Sequence, residues 1–207
     1  MAGVDIRPNP DLSFLVKDAG VLIENFKEIY DDADSYNDFG TKFLAAMDTD
    51  AYLGITRGGN EIVFENETRI IEYDGRRVRS VGDFVVDSAT PAINTTLLVQ
   101  SATNLQRIFP LSDVTIDSAN NTFTLRPRLG SPQMSDYMES LSLVKIMING
   151  DIQITTLFKA INTASVTMTG ADMSESEVAC TFTGNAKSWE DTQYAPVEIV
   201  VFAKETA

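Results

Sequence analysis

From residue 51 onward the chain alternates apolar and polar positions in short runs that are separated by turn residues. Val and Thr are abundant in these runs, which is typical of the strands of an all-β sandwich or barrel. We predict strands at 51–57, 61–73, 78–88, 92–99, 113–118, 121–127, 141–148, 151–159, 163–169, 176–188 and 196–203. Asn149-Gly150 and Asn120-Asn121 are expected to be hairpin turns.

One short helix is predicted at 101–109, between two of these strands. Ser101 is a suitable N-cap, Leu105 and Ile108 lie on one helical face, and Pro110 ends the segment. A second short helix is possible at 41–47.

The first 50 residues differ in character from the rest. Residues 1–10 contain two prolines and read as an extended arm. The next segment reads either as a helix over 11–17 followed by a strand over 20–27, or as one continuous helix, and Gly20 favours the break. We expect residues 1–50 to form an N-terminal arm and an acidic segment that pack on the same domain as a β-sandwich at 51–207.

The acidic segment YDDADSYNDFG at 30–40 invites comparison with a calcium-binding loop. A loop that starts at Asp32 has Tyr36 at its fifth position and Asn37 where glycine is required, and a loop that starts at Asp34 has Tyr36 at its third. Both registers fail. We therefore predict a solvated acidic loop, with no metal site.

Composition limits the chemistry available to this protein. Histidine is absent, which removes Ser-His-Asp and Cys-His hydrolases and His-ligated zinc. The single Cys180 is expected to be a buried hydrophobic residue. No carboxylate pair lies beside clustered aromatic residues, as glycosidases require. We predict no catalytic residue and no cofactor, and therefore a protein that is not an enzyme.

The net charge of −14 argues against tight nucleic-acid binding, because such binding depends on neutralising phosphates with Lys and Arg. No apolar run approaches the roughly 20 residues of a membrane-spanning helix, so membrane insertion is not expected. The start of the chain lacks the pattern of a secretory signal, which predicts synthesis and assembly in a cytoplasm.

The segment 61–88 is predicted to be a long protruding hairpin, polar on both faces. Two-sided polar hairpins are weakly specified on their own and usually need a partner chain. Arg57-Gly58-Gly59 and Asp74-Gly75 are interpreted as hairpin turns, because they lack the spacing of phosphate-binding loops. We predict contacts to neighbouring subunits at Asn66, Arg69, Asp74, Gly75, Arg76, Arg77 and Arg79.

The order of these segments resembles the tail tube (major tail) proteins of long-tailed, non-contractile bacteriophages. The likeness rests on the segments GITRGG (54–59), IEYDGRRVRSVGDF (71–84), TTLLVQSATNLQRIFP (95–110), DYMESLSLVKIMINGDIQITTLFKAIN (136–162) and YAPVEIVVFA (194–203). The segment DAGVL at 18–22 is also similar to this family. The acidic segment at 28–50 has no counterpart in the resemblance.

The resemblance implies a mainly β, sandwich-like subunit with one short flanking helix, a long protruding hairpin and an N-terminal arm. Six copies would form a ring whose sheets join around a channel, and stacked rings would form the tail tube of the virion. The hairpin at 58–80 and the arm at 1–18 would contact the next ring. The implied partners are other copies of the chain, the tape measure protein, and the tail terminator and tail-tip proteins. Genome DNA would pass through without specific binding.

Two other functions remain open at the level of sequence. One is a ligand-binding β-sandwich, such as a carbohydrate-binding or adhesin module, which a row of solvent-facing aromatic residues would favour. The other is the tube subunit of a contractile tail or injection system.

Overall fold

A computed structural model describes residues 20–33, 35–47, 49, 51–54, 56–72, 74, 78, 81–98, 102–117, 119–120, 122–167, 177–188 and 194–204. The strands are β1 (Val21–Glu24), β2 (Thr56–Ile70), β3 (Phe84–Leu98), β4 (Ser112–Asp117), β5 (Thr122–Pro127), β6 (Met138–Ile146), β7 (Ile152–Asn162), β8 (Glu177–Thr183) and β9 (Val197–Phe202). The helices are α1 (Lys27–Asp31), α2 (Tyr36–Met47) and α3 (Ala102–Ile108), with a 3₁₀ turn at Met134–Asp136. The fold is mainly β, as predicted.

All the strand pairs are antiparallel, and β7 connects the two halves of the main sheet. The strand order is β1-β6-β7-β8-β3-β2, with β9 also beside β7. Residues 152–157 of β7 pair with β9, whereas residues 161–162 pair with β8. β7 therefore leaves a half composed of β1, β6 and β9 and enters a half composed of β8, β3 and β2.

Lys159 forms the corner between these two halves. It lies between the residues that pair with β9 and those that pair with β8, and its φ is 44°, which is uncommon for a residue other than glycine. The Asn185 side chain donates a hydrogen bond to the Lys159 carbonyl at 3.0 Å, and the Asn185 N–H donates to the Phe158 carbonyl at 2.8 Å. These two hydrogen bonds stabilise the left-handed backbone conformation of Lys159, at which β7 changes direction.

The main hydrophobic core lies between the two halves, as in a β-sandwich. It combines side chains of the first half with side chains of β3, β8 and α3, and these are Leu22, Leu141, Leu143, Leu157, Ile93, Leu97, Val178, Cys180, Phe182 and Ile108. Burial of such side chains contributes about 1.5–3 kcal/mol each. Alternate residues of each strand therefore face this layer.

The other face of the β1-β6-β7-β9 half is covered by α1 and α2. Phe39 and Phe43 are four residues apart on α2 and pack with Phe26 against Ile152 and Ile154 of β7. Ser35 explains where α2 begins, since its hydroxyl oxygen accepts a hydrogen bond from the Asp38 N–H at 3.2 Å. The helix considered at 41–47 is the second part of α2, so the prediction of one flanking helix is incomplete. The acidic loop predicted at 30–40 is wrong at residues 30–31, which lie in α1, and from residue 36 onward.

A row of buried hydroxyl groups lies beneath α1 on this face. Tyr30 and Thr156 share a hydrogen bond of 2.9 Å, and Ser142 and Thr156 share one of 2.8 Å. Burial raises the pKa of Tyr30 to about 12, although the bond with Thr156 acts in the opposite direction.

Two of the predicted strand boundaries are wrong. Only residues 56–57 of the strand predicted at 51–57 are in a strand, and they belong with residues 61–70 to β2, because Gly58 and Gly59 (φ 81° and 91°) form an irregularity inside it rather than a hairpin turn. Residues 84–88 of the strand predicted at 78–88 likewise join the strand predicted at 92–99 in one strand, β3, which contains Pro91. The Pro91 carbonyl accepts from the Gly184 N–H, so its missing N–H faces the end of β8 and removes no bond to β2.

Two further predictions concern segments that the structure describes in part or not at all. Residues 163–167 of the strand predicted at 163–169 are not in a strand. The arm at 1–10 and the helix considered at 11–17 lie outside the described residues, as does the start of the helix predicted at 101–109, which begins at Ala102.

Candidate assembly surface

The distal parts of β2 and β3 project beyond the body of the protein. β8 pairs with β3 only over Ala92–Leu98, whereas β2 and β3 pair with each other as far as Ile70 and Phe84. Residues 64–70 and 84–90 therefore form a two-stranded segment, here called the ribbon. An isolated two-stranded ribbon is at best marginally stable in water.

The strand register determines which side chains share a face of the ribbon. Ile70 lies opposite Phe84, and Thr68 lies opposite Val86. The register shifts between Glu67 and Thr68, so that Asp87 is the extra residue of a bulge and Ala89 lies opposite Asn66. One face, here called the apolar face of the ribbon, consists of Phe64, Asn66, Thr68, Ile70, Phe84, Val86 and Ala89.

The apolar face of the ribbon is exposed to solvent and carries no charged residue. The exposed fractions are 46% for Phe64, 38% for Ile70, 63% for Phe84 and 49% for Val86. Scattered exposed apolar residues are common, but a contiguous exposed group marks an interaction surface. The prediction of a hairpin that is polar on both faces is therefore wrong.

The charged residues of the ribbon lie on its opposite face. Arg69 pairs with Asp87 at 2.8 Å, and Ser88 donates a hydrogen bond to Glu67 at 3.1 Å. The Arg69 and Asp87 side chains are 62% and 41% exposed, so this ion pair contributes little to stability. The charged face of the ribbon is therefore suited to contact with solvent, and the apolar face is suited to burial against another surface.

The structure describes three of the residues predicted to contact neighbouring subunits. Asn66 is exposed on the apolar face of the ribbon, Arg69 lies on the charged face, and Asp74 is exposed in a turn. Gly75, Arg76, Arg77 and Arg79 lie outside the described residues. The contact role of all seven residues stays a prediction.

A second projecting hairpin is formed by β4 and β5, close to the strands predicted at 113–118 and 121–127, but it is not among the predicted contact surfaces. Its strands pair only with each other. Val114 lies opposite Leu125 and Ile116 opposite Phe123, whereas Asp113, Thr115 and Asp117 alternate with them and point to the other side. The register therefore gives the β4–β5 hairpin an apolar face made of Val114, Ile116, Phe123 and Leu125, of which Ile116 is 71% exposed.

Three strands of the main sheet, β1, β2 and β9, pair with one described strand each, and the other edge of β1 is partly covered by the bridge between Ile23 and Tyr52. β2 pairs only with β3, and β9 pairs only with β7. On β9, Ile199 and Val201 are 49% and 50% exposed. Free edges of this kind are sites where another strand can be added, and natural proteins normally cover or block them.

Two features of the described residues bear on metal and ligand binding. Within this part of the chain, no group of three or more Cys, Asp or Glu residues is placed to hold a metal ion. A cleft of about 320 Å³ beside the β7 corner is lined by Lys159, Glu139 and Tyr194 among others, and the Lys159 ammonium pairs with Glu139. Burial raises the pKa of the Cys180 thiol to about 12.

The described part of the chain also contains no helix with the length and hydrophobicity needed to cross a membrane.

Comparisons with known proteins find likeness among solved structures only. No model of a protein family matches the sequence, and no curated protein matches it. Among solved structures, the chain is similar to a subunit in a structure of the tail of an empty GTA particle, computed with helical refinement in C6 symmetry. The identity is 13%, the match covers 67% of this chain and 84% of that chain, and the TM-score is 0.37. A likeness at this level carries no inference about function.

Proposed function

We propose that this protein is a structural subunit of a phage tail tube, which assembles from copies of itself and has no catalytic role. The observation that carries this proposal is the ribbon, which extends beyond its own sheet and exposes an apolar face free of charge. In a monomeric protein such a surface lowers the solubility and does not stabilise the fold, because its apolar side chains are not buried. A subunit of an assembly covers it with its neighbours.

The free edges of β2 and β9 suggest how copies join within a ring. They belong to different strands, so an edge-to-edge contact between copies is heterologous, and heterologous contacts generate closed rings when the rotation closes. The resemblance of the sequence segments to tail tube proteins leads us to propose six copies per ring. Ring formation covers the free edges, and the ribbon is then available for contact with the next ring.

The charge of the chain fits a conduit for DNA. A net charge of −14 per copy is repeated in every subunit of a ring, and DNA is repelled by such a surface within about 10 Å at ordinary ionic strength. We propose that the acidic surface lets the genome slide through the tube during ejection. In keeping with the resemblance, the tube is proposed to form around a tape measure protein, in the virion tail.

Replacing the ribbon by a short turn tests this proposal. Val63 lies opposite Ala92, so an Asn-Gly turn in place of residues 64–91 closes the hairpin at the edge of the body. We expect the intact chain to give rings or hollow tubes in negative-stain electron microscopy, and the shortened chain to give a folded species that does not form tubes.

The controls separate a loss of assembly from a loss of folding. Circular dichroism and a cooperative unfolding transition must show that the shortened chain retains its β structure. Tubes formed equally well by the shortened chain would refute the proposed role of the ribbon. A binding signal on a glycan array from a chain that never assembles would instead favour the ligand-binding alternative.

A further inference from the structure

We propose that the apolar face of the β4–β5 hairpin is the receptor for the apolar face of the ribbon of a second copy of this chain. The inference deepens the proposed function and rests on it. The two surfaces that meet between copies are the apolar face of the ribbon and the apolar face of the β4–β5 hairpin, and the second of these is not among the contacts predicted from the sequence.

The two surfaces match in size and in type. β4 and β5 form six residue pairs, and the free part of the ribbon has seven residues on each strand. Each is a two-stranded antiparallel segment with four apolar side chains on one face, namely Val114, Ile116, Phe123 and Leu125 on the hairpin and Phe64, Ile70, Phe84 and Val86 on the ribbon. Two such faces packed together form a small four-stranded sandwich, in which each stabilises the other.

Charge also favours this pairing. On the hairpin, Asp113, Asp117 and Arg126 lie on the face opposite Ile116, just as Arg69 and Asp87 lie on the charged face of the ribbon. Face-to-face packing therefore keeps the charged side chains in solvent and avoids the cost of an unpaired buried charge.

The occupant is a second copy rather than the same chain or a lipid surface. Ile116 and Phe84 are 71% and 63% exposed, so these two side chains do not cover each other within one chain, while Val114, Phe123 and Leu125 are half-buried. A chain with a net charge of −14 is repelled by anionic membranes, which disfavours a lipid as the partner. The ribbon of another copy is the matching surface that the described residues supply.

Cross-linking between two different cysteine variants tests this contact. Thr68→Cys places a thiol in the middle of the apolar face of the ribbon, and Ile116→Cys places one on the hairpin. The two variants, one of them carrying a size tag, are mixed, assembled and treated with a short bis-maleimide. We expect the mixed product to dominate. Glu67→Cys with Thr115→Cys, on the opposite faces, is the matched control pair.

Each result of this experiment is decisive. The unmodified chain must give no product, because its one cysteine is buried. Tubes that assemble without the mixed product, or that yield it equally with the control pair, overturn this inference and leave the proposed function standing. Absence of any assembly by electron microscopy, established before the cross-linker is added, overturns both.

A second variant pair measures the same contact without cross-linking. Ile116→Ser removes the most exposed apolar side chain of the hairpin, whereas Thr115→Ser changes its neighbour on the polar face. We expect Ile116→Ser to raise the protein concentration needed for assembly by about tenfold or more, and Thr115→Ser to leave it unchanged. Equal effects of the two substitutions would contradict the proposed contact.

Discussion

Replacing Phe84 by alanine separates the stability of the subunit from the strength of the assembly. Phe84 lies at the end of β3 opposite Ile70, on the apolar face of the ribbon, and 63% of it is exposed. Because most of its surface is already in solvent, its removal is expected to change the free energy of unfolding of the monomer only slightly. The exposed surface of Phe84 is expected to contribute to the free energy of assembly, because a second copy covers it there.

The magnitude follows from this exposed fraction. A phenylalanine buries on the order of 200 Å² when it is fully covered. The 63% that remains exposed in the subunit is therefore on the order of 125 Å². At about 25 cal/mol per Å², complete burial contributes up to about 3 kcal/mol per contact, of which alanine retains a part. We expect a loss of about 2 kcal/mol, which raises the critical concentration for assembly by about 30-fold.

The assay is sedimentation of assembled protein over a series of total concentrations, which gives the critical concentration directly. Ser88→Ala, on the charged face of the same ribbon, is the matched control and should leave this concentration unchanged. Urea unfolding of the unassembled species should show similar stability for both variants and the unmodified chain. A critical concentration that Phe84→Ala does not change would refute the claim that the apolar face is covered in the assembly.

Three further predictions concern the subunit itself. Burial raises the pKa of Tyr30 from 10.0 to about 12, so its contribution to stability is fully present below pH 10 and is lost as the pH rises through about 12. Between pH 10 and about 12, the free energy of unfolding should therefore fall more steeply with pH in the unmodified protein than in Tyr30→Phe. The same dependence on pH in both proteins would contradict this. The buried Cys180 should react with a thiol reagent about 100-fold more slowly in the native protein than in urea, whereas rapid native labelling would show that its strand is accessible. Asn185→Ala removes hydrogen bonds to the carbonyls of Lys159 and Thr183 and should cost about 1–3 kcal/mol in chemical denaturation, and a negligible change would mean that the corner holds without them.

The sequence predicts the fold class well because its signals are local. Runs of Val and Thr, the Asn149-Gly150 turn and the stripe of Leu105 and Ile108 each report on a few neighbouring residues. The helix at Ala102–Ile108 and the β6–β7 hairpin were found in this way. The order of strands in the sheet depends on pairs far apart in the chain, such as Leu157 with Val197, and local patterns do not contain it.

A protruding hairpin was predicted at 61–88, but as polar on both faces, because Glu65, Asn66, Glu67 and Arg69 lie in the middle of its first strand. Asp87 is an extra residue in β3, so side chains beyond it change faces relative to simple alternation. Strict period-2 alternation through 84–90 would place Val86 on one face of β3 with Ser88 and Thr90, and Ala89 on the other. The pairing of β2 with β3 shows that Val86 and Ala89 share one face, which the sequence alone does not reveal.

The start of α2 was not predicted from the sequence. The segment 30–38 is dominated by Asp and Tyr, which suggests a loop, but Ser35 caps a helix whose apolar residues Phe39 and Phe43 pack against the sheet. Tertiary packing outweighs the weak helix propensity of the acidic residues here.

Negative-stain electron microscopy of the purified protein over a range of concentrations shows whether this chain builds a tube from copies of itself. We expect rings at low concentration and uniform hollow tubes at high concentration, with a central channel. A protein that remains a monodisperse monomer at the highest concentrations reached, with its β structure intact, would contradict it.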